Sequence, residues 1–199
     1  MESWDETEGR SENNWYALRV KSHCERMTAA GLRSRGYEEF LPTYRIRRRW
    51  SDRWMDLELP LFPGYVFCRF DPRDRLPILK IPSLVHIVGL GKTPSPVDEH
   101  EIEAIQAIVR SGLAAQPWPY VKVGDWVRVE YGSLCGLEGI LIEVKKRHRL
   151  VVSVTLLQRS VAVEIDRDWV SLARPASRVG ALVAEATAAA AGRARLAAR

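Results

Sequence analysis

The sequence predicts an α+β domain followed by a small β-barrel, and three observations carry that prediction. Between Trp15 and Gly112, β-rich runs alternate with two helical segments that each open on a capping signature. The stretch "GLAAQPWPY" (112–120) then breaks the pattern with two prolines. From Val121 to Leu172 only short β-rich runs follow, punctuated by Gly132, Gly136 and Gly139 and without helical periodicity. A chain of 199 residues accommodates two units of this size.

The elements of the first unit follow in order. "WYALRV" (15–20) combines aromatics with a β-branched residue and reads as a strand. Ser22 and Glu25 form an S-x-x-E capping box that starts a helix, and Gly36 supplies its stop. Residues 38–50 and 53–59 read as two strands meeting at a polar Ser51-Asp52 turn, a hairpin with a basic tip that carries Trp50 and Trp54. "PLFPGYVFCRF" (60–70) begins with a proline-glycine turn and continues as a strand. Strand alternation puts Val66, Cys68 and Phe70 on one face, fit for a helix-covered core. Tyr65, Phe67 and Arg69 share the other, where a phenol, a phenyl and a cation together suit an interface. Phe62 precedes the turn, so alternation does not assign its face.

"DPRDRLPILKI" (71–81) is ambiguous because Pro77 interrupts a helical pattern. "SLVHIVGL" (83–90) reads as a strand and "TPSPV" as a loop. Asp98 with Glu101 gives a second capping signature, after which Ile102, Ile105, Ile108 and Val109 line one face of a helix ending at Gly112. In the second unit the strands are "KVGDWVRVEY", "GILIEV", "RLVVSVTLL" and "SVAVEI". The predicted boundaries are an acidic disordered leader (1–13), the α+β domain (14–111), a linker (112–120), the barrel (121–173) and a mobile Ala/Arg-rich tail (174–199).

Composition narrows the function. The chain is 46% hydrophobic and 28% charged, a globular balance. No apolar run approaches the ~18 residues of a membrane helix, and the acidic N-terminus is unlike a secretory signal. A cytoplasmic protein without membrane contact is expected. Cys24, Cys68 and Cys135 are far apart and form no CxxC pair. The histidines, His23, His86, His100 and His148, show no metal-binding spacing, and GxSxG, GxxxxGK[ST] and GxGxxG are absent. The reading is a binding protein, not an enzyme, with no cofactor and no metal.

The charge pattern points to a polyanion. A net charge of +5 is spread unevenly: five acidic groups against one arginine in residues 1–13, then Arg45, Arg47, Arg48, Arg49 and Arg53 in one short segment. Lys145, Lys146, Arg147 and Arg149 form a second cluster. In "YRIRRRWSDRW", Arg47, Arg48, Arg49 and Arg53 can neutralise phosphates while Trp50 offers a face on which a base stacks. Tryptophans in a hairpin can equally pack across the strands on each other.

Three motifs together resemble the NusG-type transcription elongation factors, and among them the specialised RfaH- and UpxY-like antitermination paralogues. They are "WYALRVKSHCE", "PLFPGYVFCRF" and "VGDWVRVEYGSLCGLEGILIEV…LVVSVTLLQRSVAVEID", the last similar to a complete KOW barrel; the resemblance covers Trp15 to Leu172. It implies an N-terminal domain that docks on the β′ clamp helices of RNA polymerase, bridges to the β subunit and lies beside the non-template DNA strand. It further implies a KOW domain that recruits a small-subunit ribosomal protein or Rho, in a protein that is monomeric by default. Carried onto this chain, the resemblance assigns polymerase binding to Phe62, Tyr65 and Phe67, and strand alternation adds Arg69 on the same face as Tyr65 and Phe67. It assigns DNA approach to Lys21 and partner binding to Leu134, Leu137, Leu156, Leu157 and Arg159. The His-Thr-Thr motif with which RfaH-like members reach the β subunit is missing from "DPRDRLPILKIPS". Val151, Val152, Val154, Val161 and Val163 favour a stable barrel over the helical refolding known for RfaH. The alternative is a ribosome-associated or RNA-binding KOW protein, for which the first unit would have no purpose.

Overall fold

The computed structural model describes residues 13–50, 53–120, 124–144 and 147–173, leaving aside the side chains of Trp50 and Val144. The predicted leader (apart from Asn13), the Ser51-Asp52 turn, Lys145, Lys146 and the tail lie outside the described residues. Chain order is β1 (Asn14–Val20), α1 (Glu25–Arg33), β2 (Glu38–Phe40), β3 (Thr43–Trp50), β4 (Arg53–Pro60), β5 (Tyr65–Phe70), α2 (Leu76–Leu79), β6 (Leu84–Ile87), β7 (Gly89–Leu90), β8 (Thr93–Pro94), β9 (Pro96–Val97) and α3 (Glu99–Ser111). There follow β10 (Ala115–Pro119), β11 (Asp125–Val129), β12 (Glu138–Val144), β13 (Arg147–Val154), β14 (Arg159–Ile165) and β15 (Val170–Leu172). The fold is mixed α/β with antiparallel strand pairing throughout.

The first sheet runs β2-β5-β1-β6, with β9 also paired to β1. Its two faces separate as strand alternation requires. Val66, Cys68 and Phe70 join Tyr16, Leu18 and Val20 in a core closed by Ala29 and Leu32 of α1. Burial pushes the Cys68 thiol up to about 12, with Glu39 and Glu38 adding to the rise. Trp15, Ala17 and Phe67 lie on the opposite face, in a cluster that also takes Ile102, Ile105 and Ile108 of α3 and the interior of the second sheet. Helix α3 touches both β1 and β13, so it lies where the two units meet. Val109 is exposed and takes no part in this face.

The second sheet runs β10-β14-β13-β12-β11-β15. The expected barrel is thus represented by an open path of six antiparallel strands. The segment read as a linker corrects the prediction, because Ala115 to Pro119 pair with Val163 to Arg159 as an edge strand. Its prolines are compatible with an edge, where one row of backbone groups needs no ladder partner.

The capping predictions divide. At α3, the Asp98 carboxylate accepts from the His100 backbone N–H at 2.9 Å, and Gly112 closes the helix in the left-handed region at φ +70°. At α1 the capping box does not form. His23 turns the backbone at φ +62°, the helix begins only after Cys24, and no side chain caps it. Glu25 is instead buried and accepts the Gly64 N–H at 2.7 Å. The long segment 38–50 breaks at Leu41-Pro42 into β2, which pairs with β5, and β3, which pairs with β4. "TPSPV" is not purely a loop, since it supplies the short strands β8 and β9.

Candidate functional site

The turn that leads into β5 is built from Phe62-Pro63-Gly64-Tyr65. The Tyr65 N–H donates to the Phe62 carbonyl at 3.1 Å, and Gly64 sits at φ +81°. Proline then glycine at the two central positions is the requirement of a type II turn. A Cβ on Gly64 would also lie 2.4 Å from Nη1 of Arg19. That close approach places the Arg19 guanidinium over the Tyr65 ring, 4.8 Å from its centroid.

A second guanidinium, from Arg159 on β14, lies 5.4 Å from the centroid of the same ring. Tyr65 is therefore held by one cation from each unit. Leu156 and Leu157 pack onto the cluster that contains Phe62 and Phe67. Beside them the Thr155 N–H donates to both oxygens of Glu101, at 3.1 and 3.2 Å. The residues assigned to polymerase and those assigned to the second partner thus meet each other.

This meeting corrects several exposures expected from the sequence. Phe62 and Phe67 are 1% and 0% exposed and stack edge-on with centroids 5.5 Å apart, so they are core in this arrangement. Leu134 and Leu137 are buried as well, inside the same cluster. Arg69 is engaged within the chain: it pairs with Glu38 and Glu99, donates to the Asn13 carbonyl and lies over the Trp15 ring. Tyr65, Leu156 and Leu157 stay half-buried and Arg159 exposed, at the seam between the units.

Sequence reasoning missed Arg19 and Glu101. Arg19 could have been found, because it faces Tyr65 across the β1–β5 ladder. Glu101 could not, since its capping spacing pointed to a local role. Its burial raises its pKa above the ordinary 4.5, against the opposing effect of the Thr155 bond; Asp98 adds to the rise. The closed arrangement therefore holds a proton on Glu101 more tightly than an opened one does. Contact between the units should strengthen as pH falls through the raised value towards 4.5 and weaken above it. Glu101→Gln keeps an oxygen acceptor without the charge. It should hold the units together at neutral pH and flatten the pH dependence, read as inter-unit NOEs or scattering radius from pH 5 to 8. A wild-type contact that weakens on acidification would contradict this account.

The basic hairpin forms a separate surface. The register pairs Arg45 with Glu58, Arg47 with Asp56 and Arg49 with Trp54. Opposed residues share a face, so Arg45, Arg47 and Arg49 stand with Trp54 while Arg48 stands with Met55 on the other side. The Arg47 guanidinium lies 5.7 Å from the Trp54 ring centroid and 3.9 Å from Asp56. Hydrogen bonding to Thr43 holds the Glu58 carboxyl below its ordinary range, and the Arg26 guanidinium adds to this. Arg47, Arg48, Arg49, Arg53 and Trp54 are exposed, as is Lys21 at the end of β1. The Trp50 side chain lies outside the described residues. Among the described residues no group of three or more His, Cys, Asp or Glu could hold a metal, and no helix is long and apolar enough to cross a membrane.

An α+β unit thus packs through α3 against an antiparallel β unit, with aromatic and guanidinium groups at the seam. Residues 13–106 match the family model described as "NusG: Transcription termination factor nusG". It is 28% identical over 167 residues to the transcription termination/antitermination protein NusG of Buchnera aphidicola, covering 76% of this chain and 92% of that protein. The NusG of Thermus thermophilus is 27% identical over 175 residues, covering 76% and 94% respectively. Among solved structures, "Domain interaction in Thermotoga maritima NusG" aligns with a TM-score of 0.50 and 21% identity, over 80% of this chain and 96% of that one, a likeness of fold.

Proposed function

We propose that this chain is a NusG-family transcription termination/antitermination factor that binds RNA polymerase through the Tyr65 face of β5 and holds that face covered when unbound. The observation that carries the reading is the double stacking of Tyr65 between Arg19 and Arg159. The strand that resembles the family's docking strand is occupied by the loop that resembles its partner-binding loop. Docking on the β′ clamp helices requires the second unit to move away from Tyr65 and from the Phe62–Phe67 cluster behind it. The same movement frees Leu156, Leu157 and Arg159 for a small-subunit ribosomal protein or Rho. By linkage, whatever factor the polymerase gains from opening, the second partner gains equally. The second unit is a KOW domain in this reading, with domain limits at 14–111 and 121–173 and β10 counted with the second sheet.

Binding of purified RNA polymerase to the full-length chain, competed by an isolated clamp-helix fragment, tests the proposal; no binding would end it. The basic hairpin supplies contact to the non-template strand. Arg47→Gln, Arg48→Gln and Arg49→Gln together should reduce the slope of log affinity against log salt by about 2, at ~0.7 per single-strand phosphate. An unchanged slope would remove the hairpin from the interface. That hairpin and the leucines at 134 and 137 favour a specialised paralogue, and occupancy across nearly all transcribed genes would refute that part.

A further inference from the structure

Between α3 and the second sheet lies a cleft of about 680 Å³. One wall is His100, Glu101, Glu103, Ala104, Ala107 and Arg110; the other includes Trp126, Leu134, Leu137 and Glu138. Among the described lining residues, the carboxylates of Glu103 (beside His100) and Glu138 (accepting from Trp126 Nε1 at 3.3 Å) stand with the guanidinium of Arg110. Small apolar side chains lie between them. Such a lining fits a short cationic segment that carries one aliphatic side chain.

The chain itself contains that segment, and the described residues end beside the cleft. Ala173, the last described residue, donates its N–H to the Trp126 carbonyl at 3.0 Å, and Trp126 belongs to the cleft wall. Beyond it, residues 174–199 hold five arginines against the single Glu185. The run "RARLAAR" (193–199) places three of these arginines around Leu196. The twenty-residue span from Ala173 to Arg193 reaches at most about 66 Å at ~3.3 Å per residue, ample for a site that begins one strand away. A tethered segment binds at an effective concentration set by its own linker, so modest charge pairing suffices.

We propose that the 193–199 segment seats in this cleft, its arginines against Glu103 and Glu138 and Leu196 between the alanines of α3 and the leucines of the second sheet. Seated there it spans both units and ties α3 to the second sheet. This goes beyond the polymerase reading and does not depend on it.

Cys135 is exposed and lines the cleft, so its alkylation rate in the full-length chain reports occupancy. Arg193→Gln, Arg195→Gln and Arg199→Gln together should speed alkylation of Cys135 by roughly threefold or more, as should 0.5 M salt. Glu103→Gln with Glu138→Gln should match that effect, while Cys24, away from the cleft, keeps its rate. An unchanged Cys135 rate in the tail variant overturns the proposal. Protection that grows with protein concentration also overturns it, because the occupant would then be a second copy. Polymerase binding measured on the same tail variant separates the two readings: intact binding with unchanged alkylation rejects only the tail.

Discussion

Phe67→Ala should destabilise the fold by about 3–5 kcal/mol in chemical denaturation, the range for removing a fully buried phenyl ring. Phe67 is 0% exposed, meets Phe62 edge-on at 5.5 Å and has Phe40 at 6.2 Å between centroids. Neither neighbour can collapse into the void without giving up its own ring contacts, so most of the cavity would persist. A variant with wild-type stability would show that this face is loosely packed in solution and that Phe67 is free to dock. The prediction also governs how docking is tested: loss of polymerase binding in a Phe67 variant would report unfolding as readily as a lost contact.

Tyr65→Ala separates recognition from folding, and its expected effect is a loss of polymerase affinity of about thirtyfold, near the ~2 kcal/mol of an aromatic interface anchor. Tyr65 is half-buried and stacked by exposed or half-exposed cations, so its removal should leave global stability almost intact. The effect on docking is partly offset, because losing the Arg159 stack also favours the open form, and the observed affinity scales with the open fraction. Arg159→Ala isolates that offset and should raise polymerase affinity. Opposite signs for the two substitutions are the signature of a covered docking face. Equal losses would mean that Arg159 contacts the polymerase directly, and unchanged binding in Tyr65→Ala would dismiss the face altogether.

Much of the fold was legible because its signals are local. Alternation in "GYVFCRF" sorted Val66, Cys68 and Phe70 from Tyr65 and Phe67, and the structure puts the two sets on opposite faces. Asp98 and Gly112 marked the limits of α3 because each acts on its own backbone. The Ser22–Glu25 signature failed because Glu25 met a stronger local demand, the buried N–H of Gly64, thirty-nine residues away. The proline-bearing segment at 112–120 looked like a linker because edge strands tolerate what interior strands reject.

The candidate site consists of two halves with no local signal that joins them. Residue type alone marked Tyr65 and Phe67 as interface material, and the resemblance marked Leu156, Leu157 and Arg159. Both assignments treat each face as open. Only the tertiary structure brings the halves together, because burial and cation–ring stacking between residues ninety-four positions apart depend on how α3 and the second sheet are placed. What the sequence determined by itself was the strand alternation, the limits of α3 and the basic hairpin, each set by neighbours along the chain or across one turn. What the tertiary structure decided was exposure: which aromatic rings face water, and which are covered by the chain's own second unit.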